Sequence, residues 1–171
     1  CALPIFVVND TCESSVPGVY AVGDVNGGPQ FTYISLDDFR IVFGALTGNS
    51  QYTLKDRKNI PYTTFLTPPL SRVGLTEEDA INQGYTVKTK EMLVATMPRA
   101  HVNDYLKGAF KIVVDADNDL ILGATLYSQG AEELINLIKM AMDNNIPYTY
   151  FKNQIFTHPT MAENLNDLCN F

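Results

Sequence analysis

Histidine and cysteine are scarce in this chain: two histidines, His101 and His158, and three cysteines among 171 residues. Cys1, Cys12 and Cys169 form no CxxC pair and no zinc-ligand spacing, which removes a zinc ribbon from consideration and leaves free thiols in a reducing, cytoplasmic setting as the expectation. No GxGxxG occurs, so the chain carries no dinucleotide-phosphate cradle of that kind. No apolar run approaches the roughly 20 residues that span a bilayer. Positive charge is also sparse: 12 Lys and Arg against 19 Asp and Glu give a net charge of −7, which sets the protein against nucleic acid and anionic membranes as partners. The opening CALPIFVV has neither methionine nor a basic leader region. It is not a signal peptide, and the expectation is a chain cut from a larger protein.

What remains is an ordinary globular composition with two styles of patterning. In the first part, residues 4–8 form a short apolar run expected as a strand, followed by a loop. VYAVGD at 19–24 is a β-rich run ending on Gly23-Asp24, followed by a turn. Residues 35–47 have helical periodicity, with Leu36, Phe39, Phe43 and Leu46 on one face and Ser35 with Asp38 as a capping pair. The polar stretch NSQYTLKDRKN is the candidate linker, dividing the chain into 1–58 and 59–171.

Beyond the linker, IPYTTFLT predicts a strand stopped by Pro68-Pro69. Residues 76–83 predict a short helix capped by Thr76 and ended by Gly84. Residues 85–97 predict a strand or strand pair, and 108–115 with 120–128 a β-hairpin. A helix is predicted over 131–143, with Leu134, Ile135, Ile138, Ala141 and Met142 on one side. A last helix is predicted from Thr160, with Met161, Leu165 and Leu168 as its stripe. Strands grouped together with helices around them predict an α+β fold, an antiparallel sheet with flanking helices, over 59–171.

Three constellations bear on chemistry. Asp115, Asp117 and Asp119 alternate like the start of a calcium loop, but Leu120 and Leu126 stand where the loop needs glycine and glutamate, so a hairpin turn is expected and no metal. His101 lies in the polar connection PRAHVNDY and is expected as a surface residue. His158 precedes Pro159, and Glu163 follows five residues later. Five helical steps turn the chain by roughly 500°, so two helical residues at this spacing do not face each other. They meet only if His158 stands outside the helix. Pro159 suits the first helical position and pushes His158 into extended backbone, with Glu163 riding the first or second turn. Such a pair fits either a general acid/base whose tautomer the carboxylate sets, or a helix-end polar pair.

The stretch TCESSVPGVYAVGDV resembles the second flavin fingerprint of the FAD-dependent pyridine nucleotide–disulfide oxidoreductases, the family of dihydrolipoamide dehydrogenase, glutathione reductase and mercuric reductase. PPLSRVGLTEEDA is similar to the segment that opens their dimerisation domain, and THPTMAENL to their C-terminal His-Pro-Thr…Glu signature. The order and position of the three agree, and the resemblance covers essentially the whole chain. The glycine fingerprints and CxxxxC disulfide of that family's amino-terminal half are missing here. The resemblance therefore implies a remnant of the FAD domain at 1–58 and a complete dimerisation domain at 59–171.

By the same resemblance, Gly23 and Asp24 would meet the ribityl chain of FAD. The backbone at Gln30, Phe31 and Thr32 would face the flavin at a helix N-terminus. His158 would be the acid/base that exchanges a proton with a thiol pair, oriented by Glu163, at the partner subunit's site, with Pro159 near that subunit's flavin. The implied protein is a homodimer that passes electrons from NAD(P)H through FAD and thiols to a disulfide, an oxidant or a metal ion. The 171 residues alone would be inactive. Phe156 replaces a histidine common in dihydrolipoamide dehydrogenases, and the vicinal cysteines that end mercuric reductases are absent. The runs GGPQFTYISLDDFRI and IFTHPTMAENLNDL look closer to a bacterial subgroup linked to reactive-chlorine stress and metal reduction. The alternative is a stand-alone dimerisation or interaction module without catalysis.

Overall fold

The computed structural model describes residues 5–171, which fall into two compact units, Cys1–Lys58 and Asn59–Phe171. Pro4 lies outside the described residues. In the first unit, the expected strands are reduced to isolated bridges, Val8 with Ser14 and Glu13 with Tyr20. Among the described residues of this unit, no neighbouring strand offers the row of backbone partners that an extended run needs. A 3₁₀ turn follows at Gly23–Asn26, and then the helix α1 (Thr32–Leu46).

α1 starts three residues earlier than the pattern predicted, and no side chain caps it. Ser35 and Asp38 are therefore not its cap; both lie inside it. The buried face is Ile34, Asp38 and Ile41. The predicted stripe of Leu36, Phe39, Phe43 and Leu46 is exposed, each residue by half or more. Periodicity identifies an apolar face, but not whether this chain contains anything to cover it. The polar linker is also more ordered than expected. Leu54–Asp56 form a 3₁₀ turn with a Thr53/Asp56 capping box, and the Leu54 amide donates to Asp10 O at 2.9 Å.

The second unit is built on five antiparallel strands in the spatial order β1-β2-β5-β4-β3. These are β1 (Tyr62–Thr64), β2 (Leu70–Gly74), β3 (Val87–Leu93), β4 (Ala109–Asp115) and β5 (Ile121–Tyr127). The β4–β5 hairpin has a register shift between Val113 and Val114. At its tip the Asp115 carboxylate accepts from the Asp117 amide (2.9 Å) and the Asn118 side chain (2.7 Å), so it closes the turn itself. Strand β2 escaped the sequence reading because its five residues follow directly on Pro68-Pro69, where the preceding strand was expected to stop.

Between the strands, α2 (Glu77–Asn82) carries the Thr76/Asp79 capping box, and Gly84 follows it at φ 89°. The connection expected to be irregular holds a short helix, α3 (Pro98–Val102), begun by Pro98 at its first position. α4 (Ala131–Asp143) packs against β2 and β5, and its Leu134, Ile135, Ile138, Ala141 and Met142 share one core with Val73, Phe110, Ile112 and Leu126. Then come α5 (Tyr148–Asn153) and α6 (Asn164–Leu168), whose Phe151, Leu165 and Leu168 close the same core. No helix among the described residues is long and apolar enough to cross a membrane.

Candidate functional site

The segment that carries His158 is an irregular loop between α5 and α6, held at both ends by asparagines. Asn166 donates to the carbonyls of Phe151 (2.6 Å) and Gln154 (3.0 Å), tying α6 to the end of α5. Asn164, buried, donates to the carbonyls of Thr160 and Met161, both at 3.1 Å. Within the loop, Thr160 and Glu163 bond reciprocally. The Thr160 amide donates to Glu163 Oε1 at 3.1 Å, and the Glu163 amide to Thr160 Oγ1 at 3.2 Å. Thr160 Oγ1 itself donates to Thr157 O at 2.7 Å.

This arrangement corrects the predicted helix start. α6 begins at Asn164 with Glu163 as N-cap, so Pro159 is a loop residue, joined to His158 by a cis peptide bond, and Glu163 does not ride the first turn. The reciprocal Thr160–Glu163 bonds hold the preceding backbone in a turn rather than letting it enter the helix. Leu165 and Leu168 are nevertheless buried as the stripe predicted, and Met161 packs against their core.

His158 Nδ1 lies 2.7 Å from Glu163 Oε2. The imidazole is 68% exposed and the carboxylate 19%. The His158 hydrogen bond holds the Glu163 carboxyl below its ordinary range; burial opposes this, and the Thr160 amide adds to it. An ionised carboxylate only accepts, so Nδ1 carries the hydrogen. Nε2, on the other side of the ring, has no hydrogen-bond partner among the described residues. Sequence reasoning found the pair but not Thr160, Asn164 or Asn166. The T-x-x-E spacing from Thr160 to Glu163 was the available signal for the first.

The second cluster lies in the first unit. Gly23 is buried at φ 72°, and its amide donates to Asp38 Oδ2 at 2.7 Å. A Cβ on Gly23 would stand 2.5 Å from Ser35 Oγ, so a side chain at this position would run into α1. Asp24 is exposed, and its carboxylate has no partner among the described residues. Asn26 donates to Asp38 Oδ2 at 2.9 Å and accepts from the Gly28 amide at 3.0 Å. Arg57 completes the cluster, reaching Asp38 Oδ1 at 2.5 Å and Asp37 Oδ2 at 2.8 Å. Gln30 and Thr32 are exposed at the start of α1, and the rings of Phe31 and Tyr33 stack with centroids 5.1 Å apart. Asp38 and Arg57 went unnoticed as partners of this turn, because they lie 15 and 34 residues beyond Gly23 in the sequence.

The remaining candidates have structural explanations. His101 Nε2 bonds Ala95 O at 2.7 Å, closing α3 onto the preceding turn. Cys12 and Cys169 are buried free thiols. Burial, joined by the nearby Asp38 carboxylate, pushes Cys12 up to about 11, and burial pushes Cys169 up to about 12. Both are protonated near neutrality and unsuited to act as nucleophiles or metal ligands. Cys1 lies outside the described residues.

The domain description "Pyridine nucleotide-disulphide oxidoreductase, dimerisation domain" matches residues 60–169. The chain belongs to this family. It is 48% identical over 162 residues to the probable pyridine nucleotide-disulfide oxidoreductase RclA of Escherichia coli K12, covering 95% of this chain and 37% of that protein. It is 34% identical over 159 residues to a mercuric reductase of Lysinibacillus sphaericus, covering 93% of this chain and 29% of the relative. The solved structure of the HOCl-induced flavoprotein disulfide reductase RclA from E. coli superposes with a TM-score of 0.93 at 47% identity, over 95% of this chain and 38% of that one. The chain thus spans roughly a third of the length of its relatives, and its antiparallel sheet with flanking helices is their dimerisation domain.

Proposed function

We propose that this chain is the carboxy-terminal part of a homodimeric, cytoplasmic flavoprotein that passes electrons from NAD(P)H through FAD and a thiol pair to a disulfide, an oxidant or a metal ion. In this reading residues 1–58 are the end of the FAD domain. His158 exchanges a proton with the thiol pair at the partner subunit's site, and Glu163 orients it. The observation that carries the proposal is the imidazole itself. Its tautomer is set by an ionised glutamate, yet its free Nε2 has nothing to serve among the described residues. A histidine with a purely structural task points its nitrogens at the protein, as His101 does.

Nε2 accepts a proton when the thiol becomes a thiolate and returns it when the thiol re-forms. Glu163 compensates the positive charge carried by the ring in between. The first unit fits a flavin dinucleotide on one observation. The Asp24 carboxylate is exposed and without a partner among the described residues, and no side chain caps the start of α1 that follows it. Asp24 would accept from hydroxyls of the ribityl chain, while Gln30, Phe31 and Thr32 would present the N-terminus of α1 to an electron-rich edge. FAD, when bound, supplies the electron transfer between nicotinamide and thiols. The buried unpaired thiols fit a reducing compartment.

The test is turnover of the full-length protein carrying His158→Gln. Loss of about 10²- to 10⁴-fold is expected, with flavin content unchanged. Undiminished turnover would leave His158 a structural residue. The 171-residue chain, purified alone, is expected to be colourless and inactive.

A further inference from the structure

The buried stripe of α1 runs Ile34, Asp38, Ile41, and its middle member is a fully buried carboxylate where a leucine would satisfy the packing. Burying a charge is costly unless it is paired and hydrogen-bonded. Asp38 is both, and its partners are unevenly placed. Oδ1 takes the Arg57 guanidinium at 2.5 Å, while Oδ2 takes the Gly23 amide at 2.7 Å and the Asn26 side chain at 2.9 Å. Gly23 and Asn26 bracket Asp24, one residue before it and two after. A single carboxylate oxygen thus holds the Gly23 backbone amide on one side, and the Asn26 side chain on the other, of the exposed group proposed to hold the flavin. Asn26 extends the grip by donating to Ala21 O at 3.3 Å and accepting from the Gly28 amide.

We infer that Asp38 is the positioning residue of the flavin-carrying turn: through the Gly23 amide and the Asn26 side chain it sets the direction in which Asp24 presents its carboxylate, and Arg57 supplies the compensating charge. The inference rests on the flavin reading given above. Asp38 touches no ligand and acts only through the turn. An amide at this position has one acceptor and one donor end, and cannot face both Arg57 and the Gly23 amide.

The experiment measures the FAD dissociation constant and the flavin absorption band of the full-length protein, together with the melting temperature of its apo form. Asp38→Asn is expected to weaken FAD binding by about ten- to a hundredfold, the loss that follows when a hydrogen bond to a charged group is removed. The doubly changed Asp38→Asn/Arg57→Gln protein, in which two amides can pair, is expected to recover most of the affinity. The milder Asn26→Ala is expected to weaken FAD several-fold, a larger loss than its fall in apo melting temperature accounts for and one that a merely structural role would not produce. Asp38→Asn protein that retains wild-type FAD affinity overturns the inference. If that variant does not fold, wild-type affinity in Asn26→Ala overturns it instead. Asp24→Ala separates the two ideas. Undiminished FAD binding there sinks the flavin reading and this inference together. Weakened binding there with intact binding in the Asp38 and Asn26 variants sinks only the inference.

Discussion

Glu163 does two things at once, and pH separates them. One oxygen caps the Thr160 amide, and the other holds the His158 ring. Its folded pKa lies below the ordinary 4.5, so its stabilising contribution is fully present above that value and is lost as pH falls through the depressed one. Acid titration followed by NMR should therefore show residues 155–163 loosening only below pH 4.5, with the ring still aligned near neutrality. Glu163→Gln keeps the size of the side chain and removes the charge. It should lower full-length turnover by about 10- to 100-fold, since the ring loses the carboxylate that orients it. Equal turnover would reduce Glu163 to a cap. Gly23 supports a second prediction at this scale. Gly23→Ala meets Ser35 Oγ at 2.5 Å and keeps a left-handed φ of 72°, so it should destabilise the first unit by about 1–3 kcal/mol in denaturant unfolding. Adding Ser35→Ala should recover the steric part and leave the conformational part.

Among the elements, α1 and α4 were both visible as amphipathic helices, and only one of them is covered. α4 and the β4–β5 hairpin were legible because each buries a periodic face within the same chain, Ile135 and Ile138 in one core with Ile112 and Leu126. α3 and α5, at five and six residues, are too short for periodicity to register, and are made by tertiary packing and an opening proline. The last helix was misplaced because Pro159 resembles a helix start, whereas the Thr160–Glu163 bonds define the actual one. The His158–Glu163 pair was legible from local spacing; the Asp38–Arg57 cluster, made by distant residues, was not. On α1, exposing two leucines and two phenylalanines forgoes about 1.5–3 kcal/mol each, comparable in sum with the stability of a small domain. If a further part of the full-length protein covers this face, its exposure is particular to these 171 residues. Phe39→Asp with Phe43→Asp should then improve recovery of the 171-residue chain and leave its melting temperature within a few degrees, while the same pair of changes destabilises the full-length protein. Equal tolerance in both contexts would mean that the stripe faces solvent throughout.

For the whole molecule, the decisive matter is which subunit His158 serves. The second unit is a dimerisation domain by family, and the loop that carries His158 also carries Ile155, an apolar residue 95% exposed. A two-fold contact repeats each such residue on both partners. If His158 works across that contact, two inactive full-length proteins can restore each other. One carries His158→Gln and keeps its thiol pair; the other has the thiol pair replaced and keeps His158. When the two are dissociated, mixed in equal amounts and allowed to re-form dimers, half of the dimers are hybrids. Each hybrid holds one site with both an intact thiol pair and a neighbour's histidine, so about a quarter of wild-type turnover returns under random two-fold pairing. If the histidine serves its own subunit, every site in every dimer lacks either the ring or the thiols, and turnover stays at the level of the separate variants. Sedimentation of the mixture excludes a failure to exchange, because a size-tagged partner must appear in a dimer of intermediate mass.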